Sequence, residues 1–170
     1  MNLAELVFSK SMGAKQKVEA IAEALVHLRV RAEDLAVFSE NLKDGDKANC
    51  IEGLEFASKQ NPELVNETVF KFVCGQLSAK APRVKWESAK VVANSVHLHQ
   101  KHIALAIDAL LANTSHAGTV VRWSAAYALA AIYMLKTPYT EVLANHFGKI
   151  AESDEKNSIK KIYQAAQKQK

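Results

Sequence analysis

The sequence predicts an all-α fold, an α-α superhelix of about five stacked helix pairs. Three observations predict it. Apolar residues recur at three- and four-residue spacing almost from end to end, which is the helical period. Only six Gly and three Pro are present, too few for the turns of a many-stranded β protein. The chain also says nearly the same thing twice: RVKWESAKVVANS, from Arg83 to Ser95, returns as VVRWSAAYALAAI, from Val120 to Ile132.

Taken in order, the apolar period predicts helices over 2–11, 14–29, 32–43, 46–60, 63–79, 82–97, 101–113, 118–135, 139–152 and 156–168. KDGD at 43–46 supplies Asp and Gly for a break, and NP at 61–62 and TP at 137–138 supply helix starts. The connections are short, so consecutive helices are antiparallel neighbours. Val84 aligns with Val121, Lys85 with Arg122, Trp86 with Trp123, Ala89 with Ala126 and Val92 with Leu129. Fainter copies stand in DKANCIEGLEFA at 46–57 and NSIKKIYQAA at 157–166, so the spacings are near 36, 37 and 39 residues. A two-helix unit recurring at about 20–50 residues marks an α-solenoid. One helix pair cannot bury its apolar faces alone, whereas stacked pairs can. Residues 1–170 therefore read as a single repeat domain, with the first pair and the last helix as caps.

TVVRWSAAYALAAI resembles the second helix of the HEAT-like repeat, whose pattern is Val-Arg-x-x-Ala-Ala-x-Ala-Leu; Val121, Arg122, Ala125, Ala126, Ala128 and Leu129 match it position by position. RVKWESAKVVANS matches at Val84, Lys85, Ala89 and Val92. The resemblance implies a right-handed superhelix of helix pairs that acts as a docking surface, and it implies no chemistry. The family pattern places an Asp shortly before the Val-Arg pair; here SHAGT and KAP stand there instead, while Asp44, Asp46 and Asp154 precede the weaker copies.

A helical wheel separates the faces. Val121, Ala125, Ala128, Leu129 and Ile132, with their counterparts Val84, Ser88, Val91, Val92 and Ser95, form the stripe expected to pack on the first helix of each pair. Lys85 and Arg122 border it and are expected to tie a carboxylate or helix-end carbonyls. The opposite face carries Arg83, Glu87, Lys90 and Asn94 in the third pair, then Val120, Ser124, Tyr127 and Ala131 in the fourth. In the fifth it carries Asn157, Lys161, Gln164 and Lys168. This is the face a solenoid turns to its concave side. Trp86 and Trp123 stand beside Ala89, Ala126, Ala93 and Ala130, and large beside small favours packing between repeats. The other reading is a groove-lining aromatic pair that stacks on a base or an apolar side chain.

Charge narrows the partners. The net charge is +4, but Lys156, Lys160, Lys161, Lys168 and Lys170 all follow the last acid, Glu155, so residues 1–155 sum to −1. The leading expectation is a non-catalytic scaffold that binds a protein partner through the concave face. The alternative is a nucleic-acid binder that contacts a few phosphates through the C-terminal lysines. One type of alkylpurine DNA glycosylase is built from HEAT-like repeats with a basic concave face, aromatics and a catalytic Asp. In this chain, 82–97 and 118–135 contain no Asp, and their only acid is Glu87. His97, His99 and His102 cluster in HLHQKH without a nearby Cys or carboxylate, so neither metal nor cofactor is expected. No GxSxG, Walker-type loop, GxGxxG or HExxH occurs. Cys50 and Cys74 fit no CxxC pattern, MNLAELVFSK lacks a long apolar region, and no run spans a bilayer. A cytoplasmic protein without membrane contact is expected.

Overall fold

The computed structural model describes residues 2–169. Ten α-helices follow one another: α1 (Leu3–Val7), α2 (Ala14–Val26), α3 (Ala32–Glu40), α4 (Asp44–Gln60), α5 (Glu67–Gln76), α6 (Pro82–Ser95), α7 (Ala104–Asn113), α8 (Thr119–Met134), α9 (Thr140–Ser153) and α10 (Asn157–Lys168). Every predicted helix is present, and the differences lie at the ends. The helix expected over 14–29 stops at Val26 because Leu28 turns left-handed, with φ of 52°, and Arg29 and Val30 both donate to the Ala24 carbonyl. Lys136, also with φ of 52°, follows α8 in the same way.

Asn61 and Pro62 do start a helical turn, but only a 3₁₀ turn, Pro62–Leu64, capped by the Asn61 side chain. Val65 then runs out of helical geometry and is buried, and α5 begins after it. Asn66 caps α5 by accepting from the Val69 amide. Asp44, expected in a break, lies in the first turn of α4, where a carboxylate suits the positive end of the helix dipole. Residues 96–102 form two short 3₁₀ turns in place of helix ends.

The helices pair as expected, α3 with α4, α5 with α6, α7 with α8 and α9 with α10. The second helices form one continuous layer, α2 on α4, α4 on α6, α6 on α8 and α8 on α10. The first helices touch one another far more sparingly. The more closely packed layer lies on the inside of the curve, so the second helices form the concave wall. At Gly53 a Cβ would lie 2.6 Å from the Ile21 side chain, so only glycine lets α4 approach α2 this closely.

One core runs from Val7 to Ala166. Val84, Ser88, Val91, Val92 and Ser95 of α6 are all buried, as are Val121, Ala125, Ala128, Leu129 and Ile132 of α8. Both stripes therefore pack as the helical period predicts.

Candidate functional site

The concave wall is built on a row of side-chain ties. Lys47 Nζ donates to the Glu40 carbonyl at 3.1 Å. Lys85 Nζ donates to the Leu77 carbonyl at 3.2 Å and to Asn113 Oδ1 at 2.9 Å, while Asn113 Nδ2 also donates to Leu77 at 3.0 Å. Arg122 donates to the carbonyls of His116 and Ala117, and its Nε meets Asp154 at 2.9 Å. Lys47 and Lys85 thus close the ends of their own first helices, where carbonyls lack partners, and Arg122 ties the loop that follows α7. Lys85 and Arg122 also reach into the following pair. The carboxylate absent before Val121 is supplied by Asp154 after α9. Burial pushes the Asp154 carboxyl up, but the Arg122 bond and the Lys156 amide hold it below its ordinary value. These cations hold the wall together and leave the surface to other side chains.

Between α4 and α6 the wall is polar and locked. Arg83 pairs with Glu52. Lys90 bridges Glu87 at 2.9 Å and Glu55 at 3.3 Å, and Trp86 Nε1 donates to Glu87 at 2.6 Å. Asn94 donates to the Glu55 carbonyl at 3.3 Å and to Ser58 Oγ at 3.1 Å. Burial pushes the Glu87 carboxyl up from its ordinary value, and its bonds to Lys90 and Trp86 only partly offset that. Burial also works against the Lys90 charge, but Glu87 and Glu55 hold its pKa above the ordinary lysine value.

Two expectations are corrected at this flank. Glu87 is 4 % exposed and Ser124 1 % exposed, so neither stands on the open face. Ser124 Oγ donates to the Val121 carbonyl at 2.9 Å. Both occupy the arc of a second helix that faces the preceding second helix. A wheel drawn for one helix does not distinguish that flank from open solvent.

The arc of α8 that does face solvent is apolar. Val120 is 51 % exposed, Trp123 36 %, Tyr127 41 % and Met134 38 %. The Trp123 and Tyr127 rings stack at 5.4 Å and 10°. Packing between repeats is the sequence expectation for Trp123; instead the ring is 36 % exposed, while Ala89 and Ala126 are buried, each at most 1 % exposed. Trp86 lies half-buried at the corresponding place on α6. The only charge in α8 is Arg122, already tied. An apolar period on every side of a helix normally means burial on every side, yet this helix keeps one side open.

Lys161, Gln164 and Lys168 are exposed on α10, and that helix contains no acid. Phe56 of α4, 38 % exposed, was missed in the sequence because the α4 copy of the repeat is faint. Glu52 and Glu55 were missed for the same reason. The signal was present in the three- and four-residue spacing of Glu52, Phe56 and Lys59.

The remaining candidates are placed apart from this wall's centre. His99 is buried, stacks on Phe70 at 4.5 Å and bonds the Val65 carbonyl. His102 faces Glu67 at 3.4 Å, and His97 is exposed. Among the described residues no three of His, Cys, Asp or Glu converge as metal ligands. Cys50 and Cys74 are free and buried, and burial pushes their thiols up to about 11 and about 12. Lys156 and Lys160 flank Asp154 at the start of α10, and Lys170 lies outside the described residues.

Neither a protein-family model nor a curated protein sequence matches the chain. Solved structures do. The designed armadillo repeat protein YIII(Dq)4CqI superposes with a TM-score of 0.76 at 18 % identity, over 98 % of this chain and 79 % of that one. A related design, solved in complex with the peptide (KR)4, gives 0.75 at 16 % identity over 98 % and 79 %. The complex of CpcE and CpcF of phycocyanin lyase from Nostoc sp. PCC7120 gives 0.77 at 17 % identity over 97 % of each chain. The repeated helix pairs, the row of cation ties and these superpositions agree that the fold is an α-solenoid of the armadillo and HEAT-like type.

Proposed function

We propose that the chain is a non-catalytic repeat scaffold that holds a segment of a protein partner along its concave wall. One observation carries the reading: the stacked Trp123–Tyr127 pair, with Val120 and Met134, leaves an apolar strip open on the inner face. Exposed aromatics on a rigid helix are the usual anchors of an interface. The designed neighbour in complex with (KR)4 supports a peptide as occupant.

An exposed stack of this kind also suits a nucleobase, and charge decides between the two. A nucleic-acid groove carries a continuous positive stripe. Here Glu19, Glu23, Glu52, Glu55 and Glu87 interrupt α2, α4 and α6, Arg83 and Lys90 are tied to three of those acids, and a helix with lysines and no acid is found at α10. The proposal includes a cytoplasmic location, supported by two unpaired buried thiols. No helix among the described residues is long and apolar enough to cross a membrane. It also treats the chain as one domain with capped ends, supported by the continuous core and the polar outer side of α10.

The test is affinity capture from native cell extract with and without nuclease, using the wild type and a Trp123→Ala, Tyr127→Ala variant. A protein retained by the wild type after nuclease and lost by the variant, with the melting temperature kept, is the expected result. Retention unchanged by the variant, or loss on nuclease treatment, overturns the reading.

A further inference from the structure

A cavity of about 290 Å³ opens between α2 and α4, with α6 standing between it and the apolar strip of α8. Glu19, Ala22, Glu23 and Val26 line one side of it; at three- and four-residue spacing they share one face of α2. Phe56 of α4 forms the opposite side, about one turn beyond Gly53, and its ring stands open to solvent. Among the described residues no Lys or Arg lines the cavity. Lys15 meets Glu19 only at 3.8 Å, with both side chains exposed. No ion pair among the described residues reaches Glu23. The cavity therefore holds two carboxylates and an aromatic face without a cation between them.

We propose that this cavity binds a small organic ammonium ion with an apolar body, of the arylalkylamine class. Two carboxylates one turn apart on a helix repel each other, and a cation between them relieves that repulsion. The face of an aromatic ring attracts a cation held within about 6 Å of its centre. Ala22 is buried and Val26 half-buried, so they form an apolar floor for the carbon skeleton of the ligand. His27 stands at the same cavity, where its ring in the neutral form accepts from an ammonium N–H. The same carboxylates repel an anion. The volume lies at the small end of ligand pockets, about 300–1,000 Å³, which suits a molecule of about ten heavy atoms rather than a folded segment. The aromatic wall and the enclosed volume distinguish this place from a bare pair of surface acids. It uses neither Trp123 nor Tyr127, so it is independent of the scaffold reading.

The test is an NMR titration of the isotope-labelled chain, followed through its backbone amides. The probes are phenethylammonium, neutral phenethyl alcohol and anionic hydrocinnamate, which share a phenylalkyl body, and N-acetylarginine amide, which stands for a side chain of a protein. Phenethylammonium is expected to shift amides of α2 and α4 and to bind about tenfold tighter than phenethyl alcohol. Two exposed ion pairs and an exposed cation–π contact each contribute modestly, and together they reach that ratio. A Glu19→Gln, Glu23→Gln variant is expected to lose most of that preference. Phe56→Leu keeps an apolar wall without the π face and is expected to weaken the ammonium more than the alcohol. All three positions are exposed, so the fold is retained.

Equal binding of the ammonium and the alcohol, or binding of hydrocinnamate, overturns the charge selection. Amide shifts centred outside α2 and α4, or a preference that survives in the Glu19→Gln, Glu23→Gln variant, overturn the site. Tighter binding of N-acetylarginine amide gives the cavity to a partner's side chain and overturns the free amine as ligand. Binding by none of the probes overturns the proposal outright. Each of these outcomes leaves the Trp123–Tyr127 reading to its own test on α8.

Discussion

α6 and α8 carry nearly the same sequence and present opposite surfaces. On α6 the inner face is polar, and its charges are consumed within the wall: Arg83 by Glu52, Lys90 by Glu55 and Glu87, Asn94 by Ser58. On α8 the same positions hold Val120, Tyr127 and Ala131, and nothing on the neighbouring helices ties them. The shared positions, Val84 with Val121, Lys85 with Arg122 and Ala89 with Ala126, are those that make the repeat stack. The differing positions set what the wall offers. Stacking and open surface thus occupy different arcs of one helix, and the open arc is free to vary because packing does not constrain it.

The comparison can be broken first at the ties. Asp154→Ala leaves Arg122 half-buried without its carboxylate and is expected to cost about 3 kcal/mol in urea melts. Asn113→Ala removes the neutral counterpart from Lys85 and should cost about 1–2 kcal/mol. Equal costs would show that the ion pair adds nothing over the amide. The Asp154 contribution also has a pH signature. Its folded pKa lies below its ordinary value of 3.8, so its stabilisation is present above that pH and is lost as pH falls through the folded value. The gap between the wild type and Asp154→Asn should close in acid.

The two tryptophans come next. Trp86→Ala removes a half-buried ring and the donor to Glu87, and about 2 kcal/mol is expected. Trp123→Ala removes an exposed ring and should cost under about 1 kcal/mol, while it abolishes peptide binding. The reverse order of stabilities would place Trp123 in the core and end the groove reading.

Glu87 gives the smallest effect. Its folded pKa lies above the ordinary 4.5, so the folded state binds more protons there, and stability falls as pH rises from about that value through the folded pKa. Glu87→Gln should remove that downward component from a plot of melting temperature against pH. An unchanged profile would show that Lys90 fully compensates the buried carboxylate.

The sequence by itself determined the helices, their pairing and the buried stripes of α6 and α8, because apolar period and short connections are local properties that stacking must satisfy. It also marked Lys85 and Arg122 as ties, since a cation beside a buried stripe needs an anion or a helix end. It did not show that Glu87 and Ser124 are buried, that Asp154 completes the Arg122 site, or that Trp123 stands open. Those depend on what lies across the seam between repeats. A residue's own helix fixes its angle on the wheel, but only the neighbouring pair decides whether that angle faces a side chain, a carbonyl or solvent.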